Sequence, residues 1–450
     1  MHDLRKQVLL ESKKTVSRKA ASRAHTPSGS KPTSPTHSRG GSAAPSRNAS
    51  DDESEASDWG SNSIDDLLSE GGGDDTPQDA LTADLHQRIE QLLDKKRSST
   101  DGRELTLNAF TSDLTRHYAK PEIQSRMSDL LPAVLKGVKS GQSEREIALS
   151  LKAIALMIIT LPSDTIYDAV ANPIKSAISD SQHPTVKVAA IHAMSIATFY
   201  GGASTEETEE IMDLFLEIVS SDGASIDEPD NVDIVTAALE EWGFLATQLD
   251  DMEDATEPAM DTFVDQLDSS EARVQIAAGE NIALLFEKSY TEAESDDESP
   301  DSDEEEETRR AGGGRGPRMI KRYTVYRQQH NLTRQLSELT RASSKRTSKK
   351  DRKALHTAFA DVLHTVEKPT RGPRYSTALD EDGREYGSRM RVAVGRGGER
   401  MLIDTWWKLA RLQGLKRLLQ GGFLTHYERN EVVFESLPVI VEEGEGDEYD

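Results

Sequence analysis

The chain has 450 residues, of which 30% are charged and 5% are aromatic, with a formal net charge of -26 and a mean hydropathy of -0.63. It contains no cysteine, which excludes disulfide bonds, a thiol nucleophile and a zinc site with cysteine ligands. No stretch approaches the roughly 18 apolar residues that a membrane span needs, and the first residues do not resemble a secretory signal, so we expect a protein of the nucleus and cytoplasm.

Residues 1–80 are rich in serine, glycine, proline and charge, and residues 1–47 carry a net charge of +8. Such a composition buries too little apolar surface to offset the entropy that is lost on folding. We therefore predict a disordered tail over 1–80. Its Ser/Thr-Pro sites and its serines beside acidic residues would suit kinases, although a plain solvated tail explains the same composition.

From Leu81 onward the apolar residues follow helical spacing, and the pattern repeats. Segments with apolar residues at positions i, i+3, i+4 and i+7 recur, each after a polar break. The first two segments start 42 residues apart, and the third and fifth start 88 residues apart. The segments are Arg103–Leu114, Arg145–Leu156, Val186–Thr198, Val232–Ala246 and Val274–Phe286.

A second helical pattern stands between these segments, as in residues 124–138 and 209–221. Helix pairs with a period of about 40–47 residues are typical of HEAT and armadillo repeats. The pairs Ala189–Ala190 and Ala277–Ala278 would let neighbouring helices pack closely. We predict an all-α fold with a HEAT/armadillo-like helical-repeat solenoid over 81–290, and an irregular helical bundle is the alternative.

The periodicity stops at Tyr290, and residues 291–308 carry eleven acidic residues and no basic residue. Residues 309–353 then carry a net charge of +13. We predict a disordered acidic-to-basic insertion over 291–324, followed over 325–440 by a basic helix segment and a small C-terminal helical domain. Residues 441–450 contain six acidic side chains and form a predicted acidic tail.

The basic segment is the candidate contact for RNA or the ribosome, because clustered lysines and arginines bind phosphates. A nuclear-import signal or a solvated linker fits the same residues. The candidate residues are Arg341, Lys345, Arg346, Lys349, Lys350, Arg352 and Lys353.

Two adjacent tryptophans stand in the stretch Met401–Phe423, among leucines and four basic residues. On a helical wheel for 401–420 the apolar residues form two nearly opposite stripes that switch near Gly414, so that the helix either bends there or lies between two layers. We interpret Trp406 as a buried core residue rather than as a ring that stacks on bases. We expect the basic residues to lie at the edges of the helix with their charged groups in solvent. The predicted core of the C-terminal domain is Trp406, Leu402, Leu409, Leu415, Leu419 and Phe434.

Motifs of known catalytic or metal chemistry are missing from the sequence. It lacks HExxH, GxSxG and a Walker-type GK[ST], and its histidines are scattered. We therefore predict that the protein is not an enzyme and that it binds no cofactor, metal or small-molecule substrate.

Three stretches resemble the interferon-related developmental regulator family. Arg273–Glu287 resembles the end of that family's helical-repeat domain, Ser348–Glu367 its basic-then-helical segment, and Gly397–Ser436 its short C-terminal domain. Known members of the family are not enzymes. They are described as transcriptional co-regulators that join chromatin-modifying complexes, and one branch is described as a ribosome-bound suppressor of translation.

The resemblance implies two functions. The first is a binding scaffold of the transcriptional co-regulator type, whose repeats would offer an acidic concave surface to basic partner proteins. The alternative is a ribosome-associated factor that represses translation by binding inactive ribosomes through the basic segment. The family's animal members continue with a basic segment after the C-terminal domain, whereas here six acidic residues in ten stand there, which ribosomal RNA would repel. An acidic chaperone of basic proteins is a third interpretation.

Overall fold

The helices of the protein stack in pairs, as the repeat in the sequence predicts. The computed structural model describes residues 78–94, 99–292, 319–341, 349–379, 383, 385–394, 400–438 and 441–442. All of these residues lie in one compact unit, residues 55–444. The predicted disordered tail up to residue 77, residues 293–318 of the predicted insertion and residues 443–450 of the predicted acidic tail lie outside the described residues.

The all-α fold class and the solenoid-like arrangement of the helices are confirmed. The helices of the stack are, in chain order, α1 (Gln78–Leu93), α2 (Thr100–Arg116), α3 (Lys120–Gln124), α4 (Met127–Ser140), α5 (Glu144–Thr160), α6 (Ile166–Asp180), α7 (Pro184–Tyr200), α8 (Thr205–Ser220), α9 (Val232–Ala246), α10 (Glu253–Gln266), α11 (Ala272–Lys288), α12 (Gln329–Arg341) and α13 (Lys349–Glu367).

Contacts divide these helices into two layers. Helices α2, α5, α7, α9, α11 and α13 each pack on the next member of the series, and we call them the inner row. Helices α1, α4, α6, α8, α10 and α12 each pack mainly on one helix of that row and form the outer layer. The five segments that the sequence repeat identifies all lie in the inner row, and the helical patterns predicted between them lie in α4 and α8.

Inner helices are apolar on nearly every side because other helices surround them. In α5, all residues from Ala148 to Thr160 are buried. A helix of this kind is stable only inside a protein, whereas a helix at the surface keeps one apolar face. Helix α8 shows the second pattern, since Ile211, Phe215 and Ile218 are buried and acidic residues are exposed between them.

Polar breaks in the sequence become the caps that start the helices. Ser143 accepts a hydrogen bond from the Glu146 backbone N–H at the start of α5. Ser204 forms a capping box with Glu207 at the start of α8, and Asn231 caps α9. A cap of this kind stabilises a helix by about 1 kcal/mol, since it satisfies a backbone N–H that has no partner inside the helix.

The stack continues beyond the boundary that the sequence places at Tyr290. Strand β1 (Tyr290–Glu292) pairs antiparallel with β2 (Met319–Lys321), so the two ends of the segment between them lie side by side. Helices α12 and α13 then form a further pair that packs on α11. The sequence repeat does not reveal this pair or the two strands, because the inserted residues interrupt its period.

The remaining described residues form short strands and helices. Strand β3 (Tyr375–Leu379) pairs with β4 (Glu385–Ser388), and β6 (Arg400–Ile403) lies between β5 (Met390–Ala393) and β7 (Val441–Glu442), all antiparallel. Helices α14 (Trp406–Leu419), α15 (Phe423–Arg429) and α16 (Glu431–Ser436) follow β6, with a 3-10 turn at Gln420–Gly422 between α14 and α15.

The prediction of a helix that starts at Met401 is wrong. Met401 and Ile403 are buried, Arg400 is exposed and Leu402 is partly buried, which is the period-two pattern of a strand. Thr405 has an extended backbone and acts as the N-cap residue, so the helix begins only at Trp406.

Helix α14 lies across the inner row and contacts α2, α5, α9 and α11. It also contacts β6 and α15, its neighbours in the chain, and no residue from Trp406 to Leu419 is exposed, which fits the second predicted alternative, a helix between two layers. The helix runs unbroken through Gly414. A Cβ atom at Gly414 would lie 2.6 Å from Cδ2 of Phe244, and the glycine therefore lets α14 approach α9 closely.

Candidate functional surfaces and the C-terminal clamp

We call helices α14–α16, residues 406–436, the C-terminal clamp. The first turn of α14 donates hydrogen bonds to a carboxylate of the inner row. The backbone N–H groups of Trp406 and Trp407 donate to Glu287 on α11 at 2.6 and 3.0 Å. These groups have no partner within their own helix, and the carboxylate also faces the positive end of the helix dipole. Burial nevertheless raises the pKa of Glu287 to about 7.

Trp406 is buried with 2% of its surface exposed, and its indole Nε1–H donates to Thr365 Oγ1 on α13 at 2.7 Å. Both the apolar ring and its polar edge are therefore satisfied inside the protein. Trp407 is only partly buried. Of the other residues predicted for this core, three are buried and two are partly buried: Leu409, Leu415 and Leu419, and Leu402 and Phe434.

Arg417 lies at the centre of a buried ion cluster between α14 and the inner row. Its guanidinium forms ion pairs with Glu240, at 3.0 Å, and with Glu241. Glu241 also accepts hydrogen bonds from His192 Nδ1, at 2.7 Å, and from Ser195 Oγ. Burial alone would raise the pKa of Glu241, but the charge of Arg417 and the His192 hydrogen bond hold it below its usual value. The cluster joins α7, α9 and α14.

Arg411 also turns toward the protein interior. It donates to the carbonyl oxygen of Thr247 and to that of Ser436, both at 2.9 Å. The prediction that the basic residues of this stretch are solvated edges is therefore wrong for Arg411 and Arg417. Their partners are distant in sequence, and a helical wheel drawn for the stretch alone cannot show them.

The end of the clamp is held by carbonyl groups near the ends of inner helices. Asn430 Nδ2–H donates to the Ile159 carbonyl of α5, and His426 Nε2–H donates to the Leu114 carbonyl of α2, both at 2.9 Å. Burial lowers the pKa of His426 to about 4, so its ring is neutral at physiological pH. The clamp therefore covers the inner row over several helices. The expectation that the repeats offer an acidic concave surface to basic partners stays a prediction, and any such surface must lie outside the part of the inner row that the clamp covers.

Many exposed acidic residues lie on the outer layer. From Val188 to Ala272 the chain has 22 acidic residues and no lysine or arginine. Helices α8 and α10, which contact each other, carry many of them. We call the following exposed carboxylates the acidic face: Glu206, Glu209, Glu210, Asp213 and Glu217 on α8, and Glu253, Asp254, Glu257, Asp261 and Asp265 on α10. Two cations from elsewhere approach it, since Lys175 lies 3.7 Å from Glu210 and Arg327 lies 3.8 Å from Glu257.

The predicted basic segment spans the end of α12 and the start of α13. Arg341 is the last residue of α12 and is exposed, and Arg352 and Lys353 are exposed on α13. Lys349 and Lys350 belong to the first turn of α13, while Lys345 and Arg346 lie outside the described residues. Binding of RNA by this segment stays a prediction.

The described part of the chain has no group of three or more histidine, cysteine, aspartate or glutamate residues arranged to hold a metal ion. A cavity of about 20 Å³ lies between α9, α11 and α14, beside Glu240, Glu280 and Gln413. This volume holds about one water molecule and is far too small for a substrate. Among the helices that the structure describes, none has both the length and the apolar character to cross a membrane.

Comparison with known proteins agrees with the resemblance seen in the sequence. A family model described as interferon-related developmental regulator matches residues 48–367. An uncharacterized protein of Schizosaccharomyces pombe is 25% identical over 350 residues, which are 77% of this chain and 72% of the relative. Interferon-related developmental regulator 1 is 24% identical in Sus scrofa and 23% identical in Homo sapiens, in both over 396 residues that cover 83% of this chain and 76% of the relative. The chain belongs to the interferon-related developmental regulator family.

Proposed function

We propose that the protein regulates gene expression as a non-enzymatic scaffold of the transcriptional co-regulator type, which binds basic regions of partner proteins through the acidic face. The observation that carries this proposal is the exposure of ten carboxylates on α8 and α10, within a stretch of the chain that has no lysine or arginine. The family to which the chain belongs is named for regulators, and this supports the regulatory role.

The electrostatics of the acidic face favour a basic partner. Two ion pairs at its edge join exposed side chains, and such pairs neutralise little of the charge. The remaining carboxylates repel one another and attract cations over a distance of about 8–10 Å at physiological salt. A lysine- or arginine-rich segment would relieve this repulsion on binding.

The position of the C-terminal clamp supports an outer binding surface. Repeat proteins commonly bind partners along the inner surface of the stack. Here Trp406, Arg417 and Asn430 attach the clamp to that surface through buried contacts. A partner therefore meets the outer layer, where the acidic face lies.

The test compares two full-length variants of equal charge for binding to purified core histones, which are basic chromatin proteins. The first variant neutralises the α8 half of the acidic face through Glu206→Gln, Glu209→Gln, Glu210→Gln, Asp213→Asn and Glu217→Gln. The control variant neutralises five exposed aspartates outside the face: Asp84, Asp101, Asp129, Asp168 and Asp180, each to Asn. Binding is measured by titration calorimetry at two salt concentrations.

We expect the first variant to bind at least about tenfold more weakly, and the control variant to bind nearly as the unchanged protein does, because only nearby charges act through the Debye length. Equal weakening in both variants would mean that only the net charge matters, and would contradict a defined acidic face.

As a second candidate function, we propose that the protein associates with inactive ribosomes and represses translation through the basic segment. The exposure of Arg341, Arg352 and Lys353 favours this candidate. A sucrose gradient of cell lysate at low and high salt tests it. Ribosome association should be lost in high salt and in a variant that reverses six charges to glutamate: Lys345, Arg346, Lys349, Lys350, Arg352 and Lys353. Unchanged migration of that variant with ribosomes would exclude the basic segment as the contact.

A further inference from the structure

Two neighbouring helices of the outer layer carry opposite charge. Residues 250–271, which contain α10, have nine acidic residues and no lysine or arginine. Residues 319–341, which contain α12, have five lysines and arginines and one acidic residue, Glu338. The outer layer therefore changes from acidic to basic between α10 and α12.

Polar contacts place these two helices side by side. On α12, Gln335 Nε2–H donates to Asp268 Oδ1, two residues after the end of α10, at 3.0 Å. Arg327, just before α12, lies 3.8 Å from Glu257 on α10. The side chains of Arg327 and Glu257 are 88% and 75% exposed, and an ion pair of that kind is weak. Both helices therefore keep most of their charge toward solvent.

The exposed face of α12 carries cations at regular spacing. Arg327, Arg334 and Arg341 follow one another at seven residues, which is about two turns of a helix, and all three are exposed. The guanidinium groups of Arg334 and Arg341 form no ion pair or hydrogen bond within the part of the chain that the structure describes. Glu338 is the one carboxylate of α12 and is exposed too. We call Arg327, Arg334 and Arg341 the basic row.

The exposed face of α10 carries carboxylates at a similar spacing. They recur every four residues, and all are exposed: Glu253, Glu257, Asp261 and Asp265. We call these four residues the acidic row, which is the α10 half of the acidic face. The acidic row spans about 18 Å along its helix, and α12, with 13 residues, is about 20 Å long. The two rows therefore match in length and are opposite in charge.

Two tyrosines lie between the acidic row and the basic row. Tyr323 and Tyr326 belong to the segment that connects β2 to α12, and both are partly buried. Burial and the nearby charges of Asp261 and Asp265 raise the pKa of Tyr326, which agrees with a ring beside α10. Protein interfaces commonly have aromatic residues at the centre and charged residues at the rim. The surface formed by α10, α12 and these tyrosines has that composition.

We propose that two copies of the protein associate through this surface, with α10 of each copy on α12 of the other. A two-fold axis along the boundary between the helices brings the acidic row of one copy onto the basic row of its partner, and the same contact forms twice. Residues near the axis meet their own counterparts, so the tyrosines of the two copies lie together at the centre.

The net charge of -26 opposes the approach of two copies. At physiological salt, however, charges act only over about 8–10 Å, so the complementary charges at the contact outweigh the distant ones. The contact uses the α10 half of the acidic face and leaves the α8 half free for the basic partner of the proposed function. Dimerisation and histone binding can therefore be tested separately.

Sedimentation velocity of the full-length protein over a range of concentrations at physiological salt tests the proposal. One variant reverses charges of the acidic row, Glu257→Lys with Asp261→Lys, and a second reverses charges of the basic row, Arg327→Glu with Arg334→Glu. Each variant alone should raise the Kd of the dimer at least about tenfold, because like charges then face each other. An equimolar mixture of the two variants should form mixed dimers, because the reversed rows are complementary again.

The control variant is Asp164→Lys with Asp180→Lys, which makes the same change of net charge as reversal of the acidic row. Both aspartates are exposed and lie outside the two rows. This variant should dimerise as the unchanged protein does. The variant with five neutralised carboxylates on α8 should also dimerise, so that a failure of histone binding and a failure of dimerisation are distinguishable. Circular dichroism of each variant confirms that the fold is kept.

Three results would overturn the proposal. The first is that the unchanged protein stays monomeric at every concentration; loss of histone binding on reversal of the acidic row would then assign α10 to the basic partner instead. The second is that the mixture of the two reversed variants stays monomeric, or that the control variant weakens dimerisation as much as reversal of the acidic row does. The third is growth to species larger than a dimer, because a two-fold contact closes whereas a contact between different surfaces forms open chains.

Discussion

Replacement of Arg417 by methionine tests whether the buried ion cluster holds the C-terminal clamp on the inner row. Methionine keeps much of the volume of the arginine and removes its charge. Arg417 is 4% exposed and Glu241 is 2% exposed, so the carboxylate that remains cannot be hydrated in place of the lost ion pair. Glu240 is only partly buried, and water compensates it in part.

The expected loss is about 3 kcal/mol of the free energy of unfolding. Removal of one partner from a buried ion pair costs about 3–5 kcal/mol, because an uncompensated charge is left inside the protein. We place the value at the lower end of that range, because Glu241 keeps its hydrogen bonds from His192 and Ser195. A domain is stable by only about 5–15 kcal/mol, so the change is easily measured.

The loss should also depend on pH. In the unchanged protein the pKa of folded Glu241 lies below its usual value of 4.5, so its contribution is present above pH 4.5 and is lost as the pH falls through the folded pKa. Without Arg417, burial should raise that pKa above the unfolded value, and stability is then lost as the pH rises past 4.5. The difference between the two proteins should therefore shrink toward low pH.

Urea denaturation, followed by tryptophan fluorescence at pH 7.5 and at pH 5, measures both effects. The double variant Arg417→Met with Glu241→Gln is the control, and it should recover part of the loss because no unpaired charge at Glu241 remains. A loss below about 1 kcal/mol at pH 7.5, the range of an exposed ion pair, would refute the view that this cluster holds the clamp.

Three further predictions concern the same interface. Trp406→Ala should lower the free energy of unfolding by about 3–5 kcal/mol, as the loss of a fully buried ring does, and Trp407→Ala should lower it clearly less; urea midpoints that shift equally would contradict the difference in burial. Gly414→Ala should cost about 1–3 kcal/mol in the same assay, because its methyl group would overlap the ring of Phe244. Burial raises the pKa of Glu280 to about 7 from its usual 4.5, so its contribution to stability is complete below pH 4.5 and is lost as the pH rises to about 7. The stability of the Glu280→Gln variant should fall less over that range, and a pH dependence equal to that of the unchanged protein would contradict the raised pKa of Glu280.

Regular spacing made the helix stack predictable. The apolar pattern of segments such as Val186–Thr198 identifies inner helices, because a helix buried on all sides must be apolar on all sides. The burial of Trp406 also follows from its place in an apolar stripe. The same reasoning failed at Leu402, where four residues of strand precede the helix and are too few for their period to be recognised.

Contacts between distant parts of the chain were not predictable from the pattern. Helices α12 and α13 join the stack although an insertion of unrelated composition separates them from α11. From its neighbours in sequence, Arg417 is predicted to be a surface residue. It is buried because it pairs with Glu240 and Glu241, which lie 177 and 176 residues before it in the chain. The sequence around Arg417 and the sequence around Glu240 do not show that these residues pair.

The sequence by itself determined the all-helical repeat, the acidic character of residues 188–272 and the membership of a regulator family, since each depends on composition or period along the chain. Only the tertiary structure shows that the clamp packs on the inner row. The clamp packs on the inner row because groups far apart in sequence, such as the partly buried Glu287 and the buried Trp406, satisfy each other's hydrogen bonds. The acidic face of the outer layer and the basic segment are exposed charged surfaces on which the proposed binding can be tested.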